Sequence, residues 1–136
     1  MGLFANFQIS GSAMSAQSLR LNATASNMAN AETVVGSEEE AYRARETVFQ
    51  SMLIDSSRPA ERGVQMLGVV ESEAPVRTRY EPNHPLANEQ GYIFTSNVDT
   101  VEEMVNMLSS SRSYQNNVEV LNTSKELMLR TLSLGN

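Results

Sequence analysis

Cysteine is absent from this chain of 136 residues. Its absence excludes disulfide bonds, thiolate metal sites and cysteine nucleophiles. The single histidine, His84, has no second imidazole with which to complete a metal site, and no serine shows a credible His/Asp relay. Neither the G-x-x-x-x-G-K-[ST] nor the G-x-G-x-x-G nucleotide-binding pattern occurs. The sequence therefore predicts a protein that is not an enzyme, with no cofactor, no metal and no small-molecule ligand.

Basic residues are also scarce, at 10 Lys and Arg against 16 Asp and Glu, which gives a net charge of −6. Without a basic cluster, neither nucleic acid nor an anionic membrane surface is an expected partner. No apolar run is long enough to span a membrane, which predicts no membrane insertion. The N-terminus lacks the basic and apolar regions of a cleaved secretory signal, so we expect a cytoplasmic protein or export without such a signal.

Proline is missing from both ends of the chain. Because proline breaks helix interiors, this distribution predicts an α+β fold in which two long terminal α-helices form a coiled-coil-like pair around a small β-rich middle domain with long loops. The predicted boundaries are 1–30, 31–97 and 98–136. The expected strands are Tyr42–Leu53, Val64–Glu73, Val76–Tyr80 and Gly91–Thr95.

Both terminal segments carry a heptad pattern. In the C-terminal segment, Asp99 or Thr100 is the expected N-cap and Gly135 the expected C-terminal stop. Val101, Val105 and Leu108 widen the apolar stripe at its start. The predicted seams, which we interpret as assembly interfaces, are Phe4, Phe7, Gly11, Met14, Leu21, Ala25 and Met28 in the first helix, and Met104, Met107, Tyr114, Val118, Leu121, Met128 and Leu132 in the second.

The first helix has an unusual polar side, because Arg20 is its only charged residue. A solvated helix face in a soluble monomer normally carries lysine and glutamate. A surface of Ser, Asn and Gln suits close contact with other backbones or with a lumen. Periodicity alone leaves two interpretations open, namely an intramolecular coiled coil without a polymer and an assembling subunit. The uncharged face favours assembly, with the helices becoming ordered when copies pack together.

Three motifs in order resemble the bacterial flagellar rod and hook protein family. The N-terminal motif lies in Ser26–Thr33, and the C-terminal motif lies in Arg112–Asn117. Tyr80–Ala87, followed by Gly91–Tyr92 and Asn97–Asp99, resembles the proximal-rod members of that family, as does the chain ending at Leu132–Gly135. The resemblance covers essentially the whole chain. The residues that carry the two terminal motifs are Asn27, Ala29, Asn30, Arg112, Tyr114, Gln115 and Asn122.

The resemblance implies a structural subunit of the proximal rod of the flagellar basal body. Its terminal helices would polymerise into a tubular drive shaft that transmits torque and encloses the export channel, while the middle domain faces outward. The implied partners are further copies, other rod proteins and the flagellar export apparatus, and the implied location is the periplasmic rod, reached without a cleaved signal peptide. The alternatives are another axial rod protein and an export-linked helical adaptor or chaperone. A hydrolase using His84 is a third alternative, although a surface turn explains that residue more simply.

Overall fold

A computed structural model describes residues 3–57 and 59–134 of the chain. Two long helices enclose a middle region of antiparallel strands, which confirms the predicted α+β class. The strand β1 was not expected, whereas the four predicted strands are present within three residues of their expected bounds. In chain order the elements are α1 (Leu3–Asn30), β1 (Val34–Val35), β2 (Arg45–Leu53), β3 (Arg62–Glu71), β4 (Arg77–Tyr80), β5 (Tyr92–Thr95) and α2 (Thr100–Leu134).

Helix α2 begins behind an aspartate cap. The Asp99 carboxylate accepts hydrogen bonds from the backbone N–H groups of Val101, at 2.9 Å, and Glu102, at 3.2 Å. These bonds satisfy two of the donors that a helix start leaves without partners. Of the two caps that the sequence offered, the structure therefore uses Asp99. The predicted stop at Gly135 lies outside the described residues.

The strands form two separate antiparallel sheets. One has the order β1-β5-β4, and the other is the hairpin of β2 and β3, which contains an irregularity after Val48. The turn into β5 passes through Gly91, whose φ of 82° is readily available only to glycine. A Cβ at this position would lie 2.9 Å from the Tyr80 ring, so the close approach also requires glycine.

The apolar core of the described chain is small. Ile93 on β5 and Val98 before α2 are each 1% exposed, and Val76 is also buried. The other buried apolar residues are alanines. Many large apolar side chains instead lie at the surface of both helices and of the β2–β3 hairpin. An isolated two-stranded hairpin is only marginally stable. Packing against α1 therefore stabilises the β2–β3 hairpin and also positions it.

Candidate assembly interface

The fully buried side chains of the helix pair are small or polar. Half-buried members of both predicted seams, such as Leu21 and Leu121, lie three or four residues from these buried positions, so larger apolar side chains also border the contact. Small side chains at the buried positions let the two helices approach closely. The buried polar side chains of the two helices are Ser10, Thr24 and Asn27 on α1, and Ser110 and Ser124 on α2.

Two polar contacts fix the register of this helix pair. The Arg20 guanidinium donates to the Asn106 side-chain oxygen at 3.1 Å, so the only charge of α1 is used within the chain. About one turn away, Glu103 accepts hydrogen bonds from the side chains of Asn27 and Thr24. Partial burial raises the pKa of the Glu103 carboxyl above its ordinary value, and the nearby Glu102 charge adds to this effect. The two hydrogen bonds and the Arg20 charge oppose the increase without cancelling it.

A second face of α1 packs against the β2–β3 hairpin. The Ser12 hydroxyl accepts a hydrogen bond from the backbone N–H of Val64 at 3.1 Å and donates to the Ile9 carbonyl at 2.8 Å. A Cβ on Gly63 would lie 2.9 Å from this hydroxyl, so the helix and the strand approach as closely as a side-chain-free residue permits. Helix α2 takes no part in this packing, since among the described elements it contacts only α1.

The third face of α1 is left uncovered by the described residues, and part of the predicted seam lies along it. Phe4, at 76% exposure, Gly11 and Ala25 are exposed. The other four seam residues are half-buried, and each lies seven residues from the next in the sequence, so they form one continuous edge beside the uncovered face. These four residues are Phe7, Met14, Leu21 and Met28.

The predicted seam of α2 is divided in the same way. Met104 and Leu132 are exposed, whereas the other five members are half-buried: Met107, Tyr114, Val118, Leu121 and Met128. Val101, at 68% exposure, extends the uncovered apolar stripe at the start of this helix. Further exposed aliphatic residues, which the strict heptad pattern did not include, are Val120, Leu127 and Leu129.

The residues of the two terminal motifs do not form one cluster. Asn27 is buried, and it bonds the β2 strand. The Asn30 side chain donates only to the Ser26 carbonyl one turn earlier in the same helix, at 2.9 Å. Tyr114 is half-buried, and the remaining motif residues are exposed, namely Ala29, Arg112, Gln115 and Asn122.

The structure gives His84, the one candidate catalytic residue of the sequence, a structural role in a turn. The His84 imidazole accepts a hydrogen bond through Nδ1 from the backbone N–H of Leu86 at 3.1 Å, as expected for a turn residue. Within residues 3–57 and 59–134, no group of three or more His, Asp or Glu side chains could hold a metal ion. No helix in this part of the chain is both long enough and apolar enough to cross a membrane.

Comparison with known proteins adds evidence over the whole chain. A family model described as "Flagella basal body rod protein" matches residues 7–36, and one described as "Flagellar basal body rod FlgEFG protein C-terminal" matches residues 89–134. The chain is 52% identical over 136 residues to the flagellar basal-body rod protein FlgC of Salmonella typhimurium. It is 53% identical over 135 residues to the protein of that name in Escherichia coli, and 41% identical over 137 residues to the one in Buchnera aphidicola subsp. Schizaphis graminum. Each comparison covers 99% of both chains.

Proposed function

Because the chain belongs to the FlgC family of flagellar basal-body rod proteins and is therefore a structural subunit of that rod, we propose that it polymerises through the uncovered faces of its two terminal helices. Its partners are further copies of the chain and other rod proteins. The resulting tube would transmit torque and enclose the export channel, and its subunits would act without catalysis.

The distribution of apolar side chains in the helix pair is the observation that supports this proposal. The fully buried side chains of the helix pair are small or polar, whereas Val101, Met104, Val105 and Leu108 on α2 are all more than half exposed. Contiguous exposed apolar surface of this kind marks an interaction site in a soluble protein. A neighbouring helix that covered these side chains would gain roughly 1.5–3 kcal/mol for each large one fully buried. Burial of this stripe against a neighbouring subunit would therefore stabilise the assembly.

Delivery of the subunit is a further part of the proposal. We propose that the chain reaches the basal body through the flagellar export apparatus, without a cleaved signal peptide. The absence of cysteine supports this route, since an unfolded chain without thiols cannot form mixed disulfides in an oxidising compartment. The export-linked adaptor remains the alternative, and it predicts a protein that stays in the cytosol bound to unfolded clients.

Substituting the exposed helix stripe tests assembly through the helices. Leu108→Asp and Val101→Asp should each abolish rod formation and swimming, because an interface that buries a lone carboxylate loses several kcal/mol. Leu108→Met is the matched control and should assemble normally, since it keeps an apolar side chain of similar volume. The measurements are swimming in soft agar and the yield of rods from cells that carry only the variant gene.

The stability of the isolated variants separates assembly from folding. Both positions are more than half exposed, so the thermal unfolding of each aspartate variant should stay close to that of the parent chain. Normal swimming by both aspartate variants would show that this stripe is not an assembly surface. Loss of rods together with early unfolding would show a defect of the single chain instead.

A further inference from the structure

The β2–β3 hairpin is tied to α1 by one buried side chain. Asn27, near the end of α1, is 1% exposed. Its amide nitrogen donates to the Arg45 carbonyl at 2.9 Å, and its oxygen accepts from the Arg45 backbone N–H at 2.8 Å. The same oxygen accepts from the Tyr42 hydroxyl at 2.9 Å. Both main-chain groups of the first residue of β2 are therefore bound by a helix side chain.

This arrangement reproduces the pairing of a neighbouring strand. In an antiparallel ladder, one residue exchanges an N–H and a C=O bond with the residue opposite. The amide of Asn27 makes the same two bonds to the edge of β2, as a third strand would. The bonds are directional and partly shielded from water, so they fix where the root of the hairpin lies and which way it points.

A second asparagine holds the hairpin root from the side of α2. Asn97 lies between β5 and the cap of α2, and its side-chain oxygen accepts from the backbone N–H of Ala44 at 2.7 Å. Its amide nitrogen donates to the Ala74 carbonyl at 2.9 Å and approaches the Ser72 carbonyl at 3.4 Å. One amide thus bridges the segment before β2 and the segment after β3.

We propose that Asn27 and Asn97 are positioning residues that lock the orientation of the hairpin relative to the helix pair. Elsewhere, one further hydrogen bond joins α1 to the hairpin, from the backbone N–H of Val64 to the Ser12 hydroxyl. Van der Waals packing alone permits sliding, because it has little directional preference. The two amides supply the directional bonds, and a load applied to the hairpin would pass through them to the helices.

Spin labels on the isolated chain can test this lock directly. Since the parent has no cysteine, Gln65→Cys on the hairpin and Glu119→Cys on α2 provide two unique labelling sites, both exposed. Pulsed electron spin resonance then gives the distribution of distances between the labels. We expect one narrow peak for the labelled parent, and loss of that peak in favour of a broad distribution when Asn27→Ala or Asn97→Ala is added.

The matched control is Asn30→Ala, because Asn30 belongs to the same motif but bonds only within its own helix. It should keep the narrow peak. Asn27→Asp is a second probe, since a carboxylate keeps the acceptor of Asn27 but can donate neither to the Arg45 carbonyl nor to Glu103, and it should broaden the distribution. Circular dichroism confirms that helix content is retained. Asn97→Ala tests the lock independently because Asn97 lies outside both helices.

Several outcomes would overturn the proposal. A narrow peak retained in both Asn27→Ala and Asn97→Ala would show that the amides do not set the orientation. Equal broadening by Asn30→Ala would show that the motif only supports the end of α1, and a broad parent distribution would show that no lock exists in the single chain. None of these results bears on assembly through the helix stripe, since the measurement needs no polymer.

Discussion

At the scale of single residues, Glu103 places an ionisable group in a seam of small neutral side chains. Its pKa is raised in the folded chain, chiefly by partial burial. The folded state therefore binds this proton more tightly than the unfolded state does. The resulting stabilisation is fully present below the unfolded pKa of a glutamate and is lost as the pH rises through the folded value. At neutral pH, the charged carboxylate opposes folding.

Replacing this carboxylate should stabilise the chain in a pH-dependent manner. We expect Glu103→Gln to unfold at a higher temperature than the parent at pH 7, because the amide carries no charge to desolvate. The gain should shrink as the pH falls through the ordinary glutamate range, where the parent is protonated as well. Thermal unfolding followed by circular dichroism across this range measures the difference.

The exposed Glu126 provides the comparison for that experiment, since Glu126→Gln removes a charge from the same helix without relieving any burial. It should leave the unfolding temperature nearly unchanged. A gain for Glu103→Gln that stayed constant from acid to neutral pH would contradict an origin in the charge of this side chain.

At the scale of elements, the polar seam between the helices contains an unsatisfied group. The Ser110 hydroxyl is fully buried, and within the described part of the chain it has no hydrogen-bond partner. A buried polar group without a partner costs about 1–3 kcal/mol. Ser110→Ala should therefore raise the free energy of unfolding, by up to about 1 kcal/mol after the loss of packing.

Chemical denaturation measures that change, and Ser109→Ala is the control because Ser109 is the exposed neighbour on the same helix. The control should alter stability only through helix propensity, by roughly 0.5 kcal/mol or less. If Ser110→Ala destabilised the chain relative to Ser109→Ala, the hydroxyl would have a partner in solution, and the seam would be better satisfied than its geometry indicates.

The elements themselves could be predicted from the sequence, but the partner of each face could not. Proline positions, heptad patterns and β-branched segments bounded by turn formers located both helices and four strands. A heptad pattern also identifies the apolar stripe of a helix, yet it does not show whether the same chain or another one covers that stripe. Here one column of the predicted α1 seam, namely Phe4, Gly11 and Ala25, is exposed, whereas the other column is half-buried. The assembly role of the predicted seams, and of the boundaries at 30 and 97, stays a prediction.

The roles of Asn27 and Asn97 were also beyond sequence reasoning. A family motif identified Asn27, but its partner is the backbone of Arg45, and a backbone leaves no pattern of side chains to read. One signal was available, because asparagine is a poor helix former and its placement inside α1 calls for a tertiary reason. Asn97 likewise belongs to a motif of the resemblance, but its partners are the backbones of Ala44 and Ala74, which no side-chain pattern shows.

At the scale of the whole molecule, the large side chains that are fully buried and apolar are Ile93, Val98 and Val76, whereas the large apolar residues of the helices are at most half-buried and the majority of those on α2 are exposed. Local stability follows buried apolar contact. We expect the amides of α1 and α2 to exchange with solvent much faster in the isolated chain than in assembled rods. The amides of β5 should be protected in both states.

Hydrogen exchange read by mass spectrometry measures this contrast, with peptides from β5 as the internal reference. Full protection of both helices in the isolated chain would contradict the idea that they gain their final stability on assembly. Weak protection of β5 alongside the helices would instead show that the isolated chain has no stable core.

The single charge of α1 has a consequence for the medium in which its contacts form. The Arg20 guanidinium is bound to Asn106 inside the chain, so the uncovered face of α1 offers a neighbour no ion pair. Dissolved ions weaken attraction between exposed charges within a screening length of roughly 8–10 Å, but they leave contacts between neutral groups almost unaffected. The affinity of a contact between subunits through this face should therefore change little with ionic strength. Such a contact suits a rod that must rotate in cells exposed to media of different salt concentration.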